Sequence, residues 1–223
     1  MDKARYERNI PALSENECRL LSSKKILIAG CGGLGGYLAE FMARIGIGTI
    51  CVIDGDVFEH SNLNRQLLST PEQIGCAKAE AAARRIALIN PSVHTVWVHD
   101  WITEENASAL ISGCDAVLDA LDNIPARKTL AKACSESGIP FIYGAIRGWT
   151  AQAAVVMPGN NLLELLYPET VVLKDKSVLS FTPAMCASIQ ASLCTRLLTG
   201  RQVETGTLYY YDLLHQEFET IPI

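Results

Sequence analysis

Apolar residues in the first two-thirds of the chain fall into short unbroken runs. Residues 25–29 (Lys-Ile-Leu-Ile-Ala), 49–53, 93–98, 116–118 and 141–143 each carry one. An apolar run of strand length, without apolar–polar alternation, marks a strand buried on both faces. Between these runs the spacing predicts helices from Gly33 to about Arg44, over 71–89, from a Thr103 cap to about Ser112, and over 124–137. Asn90-Pro91 ends the second of them. Strands separated by helices predict a parallel sheet covered on both sides. Beyond residue 150 the rhythm changes. Residues 150–157 and 207–211 read as strands without a crossover unit, with an irregular stretch over 158–181 and then a helix between them. That helix is read with Thr182 as N-cap, Pro183 at its first position and Gly200 past its end. The expected architecture is an α/β fold with a mostly parallel sheet and helices on both faces, extended by antiparallel strands in the C-terminal third. It is read as a single domain over residues 1–223.

Composition narrows the function classes. With 223 residues, 49% of them apolar and 19% charged, the chain can bury one substantial core. No apolar run approaches the roughly 20 residues of a membrane span, and the charged start, Met1 to Tyr6, has no apolar segment behind it. A cytoplasmic protein without membrane contact is the expectation. The net charge of -5 is dispersed, and without a basic face nucleic acid is not expected as the main partner. The eight cysteines include no Cys-x-x-Cys pair. They read as reduced, mostly buried thiols, with no support for a zinc site.

The candidate chemistry begins where the first strand ends. Gly30-Cys31-Gly32-Gly33-Leu34-Gly35 leaves a strand and enters a helix, the context in which Gly-x-Gly-x-x-Gly brings backbone N–H groups to a phosphate and makes the domain Rossmann-like. Asp54 ends the next strand, where a carboxylate accepts hydrogen bonds from a ribose. These features fit a nicotinamide or flavin cofactor equally well. The residues after Asp54 favour a triphosphate. Asp54-Gly55-Asp56 leads into Ser61-Asn62-Leu63-Asn64-Arg65-Gln66, and Lys78 opens a helix. A triphosphate carries about four negative charges, more than one helix terminus balances. Arg65 offers a planar fork for phosphate oxygens, and Asn62 and Gln66 offer neutral polar contacts. The fourth strand runs into Asp119-Ala-Leu-Asp122-Asn123, where open α/β sheets bind ligands. Asp122 is the natural Mg²⁺ ligand there. The alternative for Asp119, Asp122 and Asn123 is helix capping.

Taken together these motifs resemble the ThiF/MoeB/HesA adenylyltransferases, bacterial relatives of ubiquitin-activating enzyme. Arg5-Tyr6-Glu7-Arg8-Asn9 also resembles that family's N-terminal Arg-Tyr-x-Arg-Gln, with Asn9 in place of Gln. The resemblance implies ATP and Mg²⁺ as cofactors and a small ubiquitin-like sulfur-carrier protein ending in Gly-Gly as partner. The carrier's carboxylate attacks the α-phosphate, giving an acyl-adenylate and pyrophosphate. By this resemblance Gly33 lies against the phosphates and Asp54 holds the ribose. Asn62, Arg65 and Lys78 contact the triphosphate, Asp122 carries the metal, and Arg8 reaches the ATP of a partner in a homodimer.

The chain departs from the pattern in two places. Many members bind zinc through two Cys-x-x-Cys pairs, and 158–167 contains no cysteine, so no structural zinc is expected. Residues 171–183 also lack a reactive cysteine, and Cys186 falls inside the last long helix, so covalent sulfur or thioester transfer is not expected. The crossing segment over 160–181 is a candidate flap above the acceptor's tail. Two competing classes remain from sequence. A nicotinamide-dependent oxidoreductase explains Gly30 to Asp54 but leaves Arg65, Lys78 and Asp122 idle. A non-catalytic partner-binding relative is the other. Within the adenylation chemistry, the acid of a peptide or of a modified tRNA base is a further acceptor.

Overall fold

The computed structural model describes residues 4–168 and 177–223. Its strands are β1 (Lys25–Ala29), β2 (Thr49–Ile53), β3 (His94–Val98), β4 (Ala116–Asp119), β5 (Phe141–Arg147), β6 (Thr150–Val156), β7 (Thr207–Asp212) and β8 (Glu217–Pro222). They form one sheet in the order β3-β2-β1-β4-β5-β6-β7-β8. The pairs from β3 to β5 are parallel, and those from β5 to β8 antiparallel. This is the α/β architecture expected from the alternation of apolar runs.

The helices are α1 (Glu15–Leu21), α2 (Gly33–Ile45), α3 (Lys78–Ile89), α4 (Ala107–Ile111), α5 (Ile124–Glu136), α6 (Leu162–Leu166) and α7 (Phe181–Leu198). The period-two geometry of strands sorts side chains between two cores. Ile26 and Ile28 of β1 join the core under α1, α2, α3 and α7. Leu27 and Ala29 join the core under α4, α5 and α6. Both faces being covered explains why β1, β2 and β4 read as continuous apolar runs.

Three sequence expectations are corrected. The helix predicted over 71–89 is interrupted: a short 3-10 turn at Pro71–Gln73 precedes Gly75 at φ 84, and α3 begins only at Lys78. The intervening residues bridge Phe58 to Ile74 and Val57 to Ala77, so their backbone groups leave the helical pattern. Thr103 does not cap α4. It exchanges hydrogen bonds with Asn106, building a turn, and α4 starts after it. Ser180, not Thr182, stands at the N-cap position of α7. The Thr182 hydroxyl donates to Gly148 O at 2.8 Å, tying α7 to the β5–β6 turn. Helices α1 and α6 and strand β8 are additional to the expected elements.

Candidate active site

The carboxyl ends of the parallel strands open onto a cavity of about 1060 Å³, which continues over β5, β6 and β7. At the end formed by the turn after β1 the glycines divide into two kinds. A Cβ on Gly30, which has φ 93, would sit 2.6 Å from Ala120 O, and one on Gly35 would sit 1.8 Å from Gly30 O. These two allow the chain to pass close to itself. Gly32 and Gly33 meet only side-chain tips, Gln66 Nε2 at 3.4 Å and Pro183 Cγ at 3.5 Å, and both line the cavity at the start of α2. The first N–H groups of that helix have no intrahelical acceptors and carry the positive end of its dipole.

Asp54 holds this turn together. Its carboxylate accepts from Cys31 N at 2.6 Å and Asp56 N at 2.8 Å. Burial nonetheless pushes its pKa above the ordinary carboxylate value, against the pull of those two bonds. Asp56 accepts from Lys78 Nζ at 2.9 Å, and the Lys78 backbone N–H donates to Asp56 O, so β2's exit and α3's first turn are joined twice. Lys78 is buried apart from its end at the cavity. Among the described residues Arg65 is held through one nitrogen: Nη1 donates to Ser61 O at 2.8 Å and Asn64 Oδ1 at 3.0 Å. Gln66, beside Gly32, has a buried side-chain oxygen with no partner among the described residues. An orphaned amide beside a helix N-terminus fits a bound polar ligand rather than a closed core.

Of the expected residues, Gly30, Gly32, Gly33, Asp54, Asp56, Arg65, Gln66, Lys78, Asp122 and Asn123 line the cavity. Gly35, Ser61, Asn62 and Arg8 do not. Asn62 is buried and builds the turn that carries Arg65: it accepts from Glu59 N at 3.0 Å and donates to Ser61 Oγ at 3.4 Å. Its expected triphosphate contact is replaced by this local use. Arg8 is exposed in the short turn Glu7–Asn9, which Tyr6 anchors under Gly46 with its hydroxyl on Asn90 Nδ2.

Beyond β4 three acids and amides take different roles. Asp122 is exposed at the cavity with no hydrogen-bond or ion-pair partner among the described residues. Asn123 caps α5, accepting from Ala126 N at 2.9 Å, which is the capping reading. Asp119 is fully buried and bound to Arg127 Nε at 2.6 Å. Burial pushes its pKa up, opposed chiefly by the Arg127 charge. Arg127 went unnoticed in the sequence. The signal was available: a cation in the first turn of a helix opposes the dipole and needs a reason to be there. Its reason is the gap between β4 and β5. Arg127 Nη2 donates to Leu121 O and Gly144 O. From the other face Gln190 Nε2 donates to Asp119 O at 2.7 Å and Ile142 O at 3.0 Å. A Cβ at Gly144 would fall 2.3 Å from the Gln190 amide.

The far half of the cavity is walled by Arg147, Trp149, Gln152, Tyr167, Ser177 and Tyr210. The crossing segment expected over 160–181 is described at 160–168 and 177–181; its remainder lies outside the described residues. Its return is pinned where Val178 bridges Gly148 and accepts from Asn64 Nδ2 at 3.3 Å. The eight cysteines are free thiols. Burial pushes Cys134, Cys186 and Cys194 up to about 12. Among the described residues no group of three His, Cys, Asp or Glu side chains stands together as a metal site, and no helix is long and apolar enough to cross a membrane.

Comparison with known proteins gives a consistent picture. A family model described as the ThiF family matches residues 6–223. The SAMP-activating enzyme E1 of Haloferax volcanii is 35% identical over 98% of this chain and 84% of its own length. Adenylyltransferase and sulfurtransferase MOCS3 of Xenopus laevis is 31% identical over 100% of this chain, which spans 51% of that protein. Among solved structures, PaaA superposes with a TM-score of 0.84 at 20% identity, over 100% of this chain and 83% of that one. The Escherichia coli tRNA N6-threonylcarbamoyladenosine dehydratase TcdA does so with a TM-score of 0.76 at 24% identity, over 89% and 95%. At these identities the structural likeness is one of fold.

Proposed function

The chain is an adenylyltransferase of the ThiF family, and from that premise we propose that it adenylylates the C-terminal carboxylate of a small ubiquitin-like sulfur carrier ending in Gly-Gly, acting as one domain over residues 1–223. The relatives named for SAMP activation and for MOCS3 support a carrier of this kind. The observation that carries the reading is the continuity of one cavity from the glycine turn to the antiparallel strands. A nucleotide at one end and an extended tail at the other meet beside Asp122.

In the reaction a carboxylate oxygen of the carrier forms a bond to the α-phosphorus, and the bond from that phosphorus to the bridging oxygen of pyrophosphate breaks, leaving with its electron pair. Two anions approach and charge grows on the leaving group. Arg65 and Lys78, at the wall beside Gly32 and Gly33, oppose that repulsion, and holding both reactants in line contributes most of the remainder. Mg²⁺ accompanying ATP would be held by Asp122, whose carboxylate is at the wall without a protein partner, and would neutralise phosphate charge. No protein base is required, because the attacking acid is ionised at neutral pH. In a homodimer the exposed Arg8 would serve the partner's site. The buried Cys186, its thiol pushed up to about 12, is a poor nucleophile for a covalent sulfur step.

The test is ATP–pyrophosphate exchange with a panel of diglycine-ending carriers from thiamine, molybdopterin and related sulfur routes. Exchange is expected with at least one carrier, and Arg65→Ala and Asp122→Asn are expected to abolish it while the unfolding midpoint stays in place. Near-normal exchange in both variants refutes the mechanism. Tight NAD binding in place of ATP refutes the reaction class.

A further inference from the structure

A chain of hydrogen bonds runs beneath the cavity from β4 to β6. Asp119 accepts from Arg127 Nε at 2.6 Å, and Arg127 Nη1 donates to the Tyr167 hydroxyl at 2.9 Å. The Tyr167 and Tyr143 hydroxyls are 2.6 Å apart, and the Tyr143 hydroxyl donates to Gln152 Oε1 at 3.2 Å. The Tyr143 hydroxyl has one proton and gives it to Gln152 Oε1, and a guanidinium only donates, so the contact between the hydroxyls runs from Tyr167 to Tyr143. Tyr167 accepts from Arg127 and passes its own proton to Tyr143, which passes its proton to the Gln152 carbonyl oxygen. Burial holds the Tyr143 phenol well above its ordinary pKa, so this link keeps its proton at neutral pH.

The outcome lies at the cavity wall. Gln152 is on β6 between its cross-strand partners Ala145 and Tyr210, and all three line the cavity. Its oxygen is occupied by Tyr143. Its NH₂ group has no acceptor among the described residues, and with the carboxamide turned over Tyr143 could no longer donate to it. The small Ala145 leaves the adjacent floor open to an approaching main chain.

We infer that Gln152 binds the acceptor, its NH₂ donating to a main-chain carbonyl of an extended C-terminal tail lying along β6, with Arg127, Tyr167 and Tyr143 as positioning residues. The assignment rests on the proposed carrier as acceptor and adds a residue and an atom to it. A tail of glycines presents no side chains, so a site that recognises it must address carbonyls and N–H groups. A donor fixed in direction does this without waiting for the ligand to orient it.

Gln152→Glu isolates the donor. The carboxylate still accepts from Tyr143 and has nearly the same shape, but the N–H groups are gone. The probe is the recombinant ubiquitin-like carrier ending in Gly-Gly that supports exchange with the unaltered chain. Gln152→Glu and Gln152→Ala are expected to raise the carrier concentration at half-maximal exchange about 5- to 10-fold, with the ATP half-saturation unchanged. Tyr143→Phe, which frees the carboxamide to turn over, is expected to shift the same quantity by less. Calorimetric ATP binding by each variant verifies that the fold is intact. An unchanged carrier half-saturation in Gln152→Glu overturns the assignment, as does an equal rise for carrier and ATP. Failure of every diglycine carrier to support exchange in an ATP-binding parent overturns the acceptor reading and this assignment together.

Discussion

Lys78–Asp56 and Arg127–Asp119 each join a cation to a carboxylate at similar separations, 2.9 and 2.6 Å, yet they differ in what remains available around them. The Asp56 side chain is 46% exposed, and one of three ammonium protons of Lys78 is used on it. An incoming anion can share that lysine at little cost. Arg127 and Asp119 are 5% and 0% exposed. The guanidinium is committed to Asp119, Tyr167, Leu121 O and Gly144 O, and the carboxylate also accepts from Leu121 N at 3.0 Å. Residual donor capacity and contact with the cavity mark the pair that serves a ligand. Saturation marks the pair that holds the strands apart.

Removing the saturated pair is the most severe way to test this contrast. Arg127→Ala is expected to cost about 3–5 kcal/mol, because Asp119 would be left as an uncompensated buried charge. Denaturant titration measures it, and a loss below about 1 kcal/mol would erase the distinction between the two pairs. Lys78→Ala is expected to act on chemistry instead. Exchange should fall by about 10²- to 10³-fold, the scale of removing a group that stabilises transition-state charge, while the denaturant midpoint moves far less than in Arg127→Ala.

The smallest expected effect concerns a third pair, at the surface. The Arg201 guanidinium, followed by Ser14, holds Glu17 at about 2, against an ordinary value of 4.5. A depressed acid contributes stability that is complete above 4.5 and lost as pH falls toward 2. Glu17→Gln should therefore flatten the acid limb of the stability curve in that window and leave the neutral region nearly unchanged, as read by denaturant midpoints at pH 7 and pH 3.

The same contrast separates what the sequence disclosed from what it hid. Strands β1, β2, β4 and the start of β5 were readable because burial on both faces leaves an unbroken apolar run, whereas the edge strand β3 is largely exposed. The cavity-lining residues Gly30, Gly32, Gly33, Asp54 and Asp122 were readable because each lies close in sequence to the end of a strand, where such folds put ligands. The helix over 71–89 was overextended because Gly75 and two β-bridges redirect a segment whose composition suits a helix. Strand β8 has six exposed residues and offers no buried face to betray it. Arg127, Tyr143, Gln152 and Tyr167 acquire their roles only through contacts far apart in the chain, such as the 40 positions between Arg127 and Tyr167. Gln190 reaches 71 positions back to Asp119. No local pattern announces such a partner. Asn62 shows the converse: a polar residue beside a cationic loop looked like a ligand contact and is spent on the turn itself.

Helix α7 also bears on when the nucleotide end of the cavity comes into being during synthesis. Its Pro183 roofs Gly33, and its Gln190 splints the gap between β4 and β5 from below. On the ribosome the glycine turn emerges long before the helix that covers it. Until residue 198 has cleared the exit tunnel the pocket beside the glycine turn is unfinished, so a ligand held there would stabilise the chain only once α7 is in place.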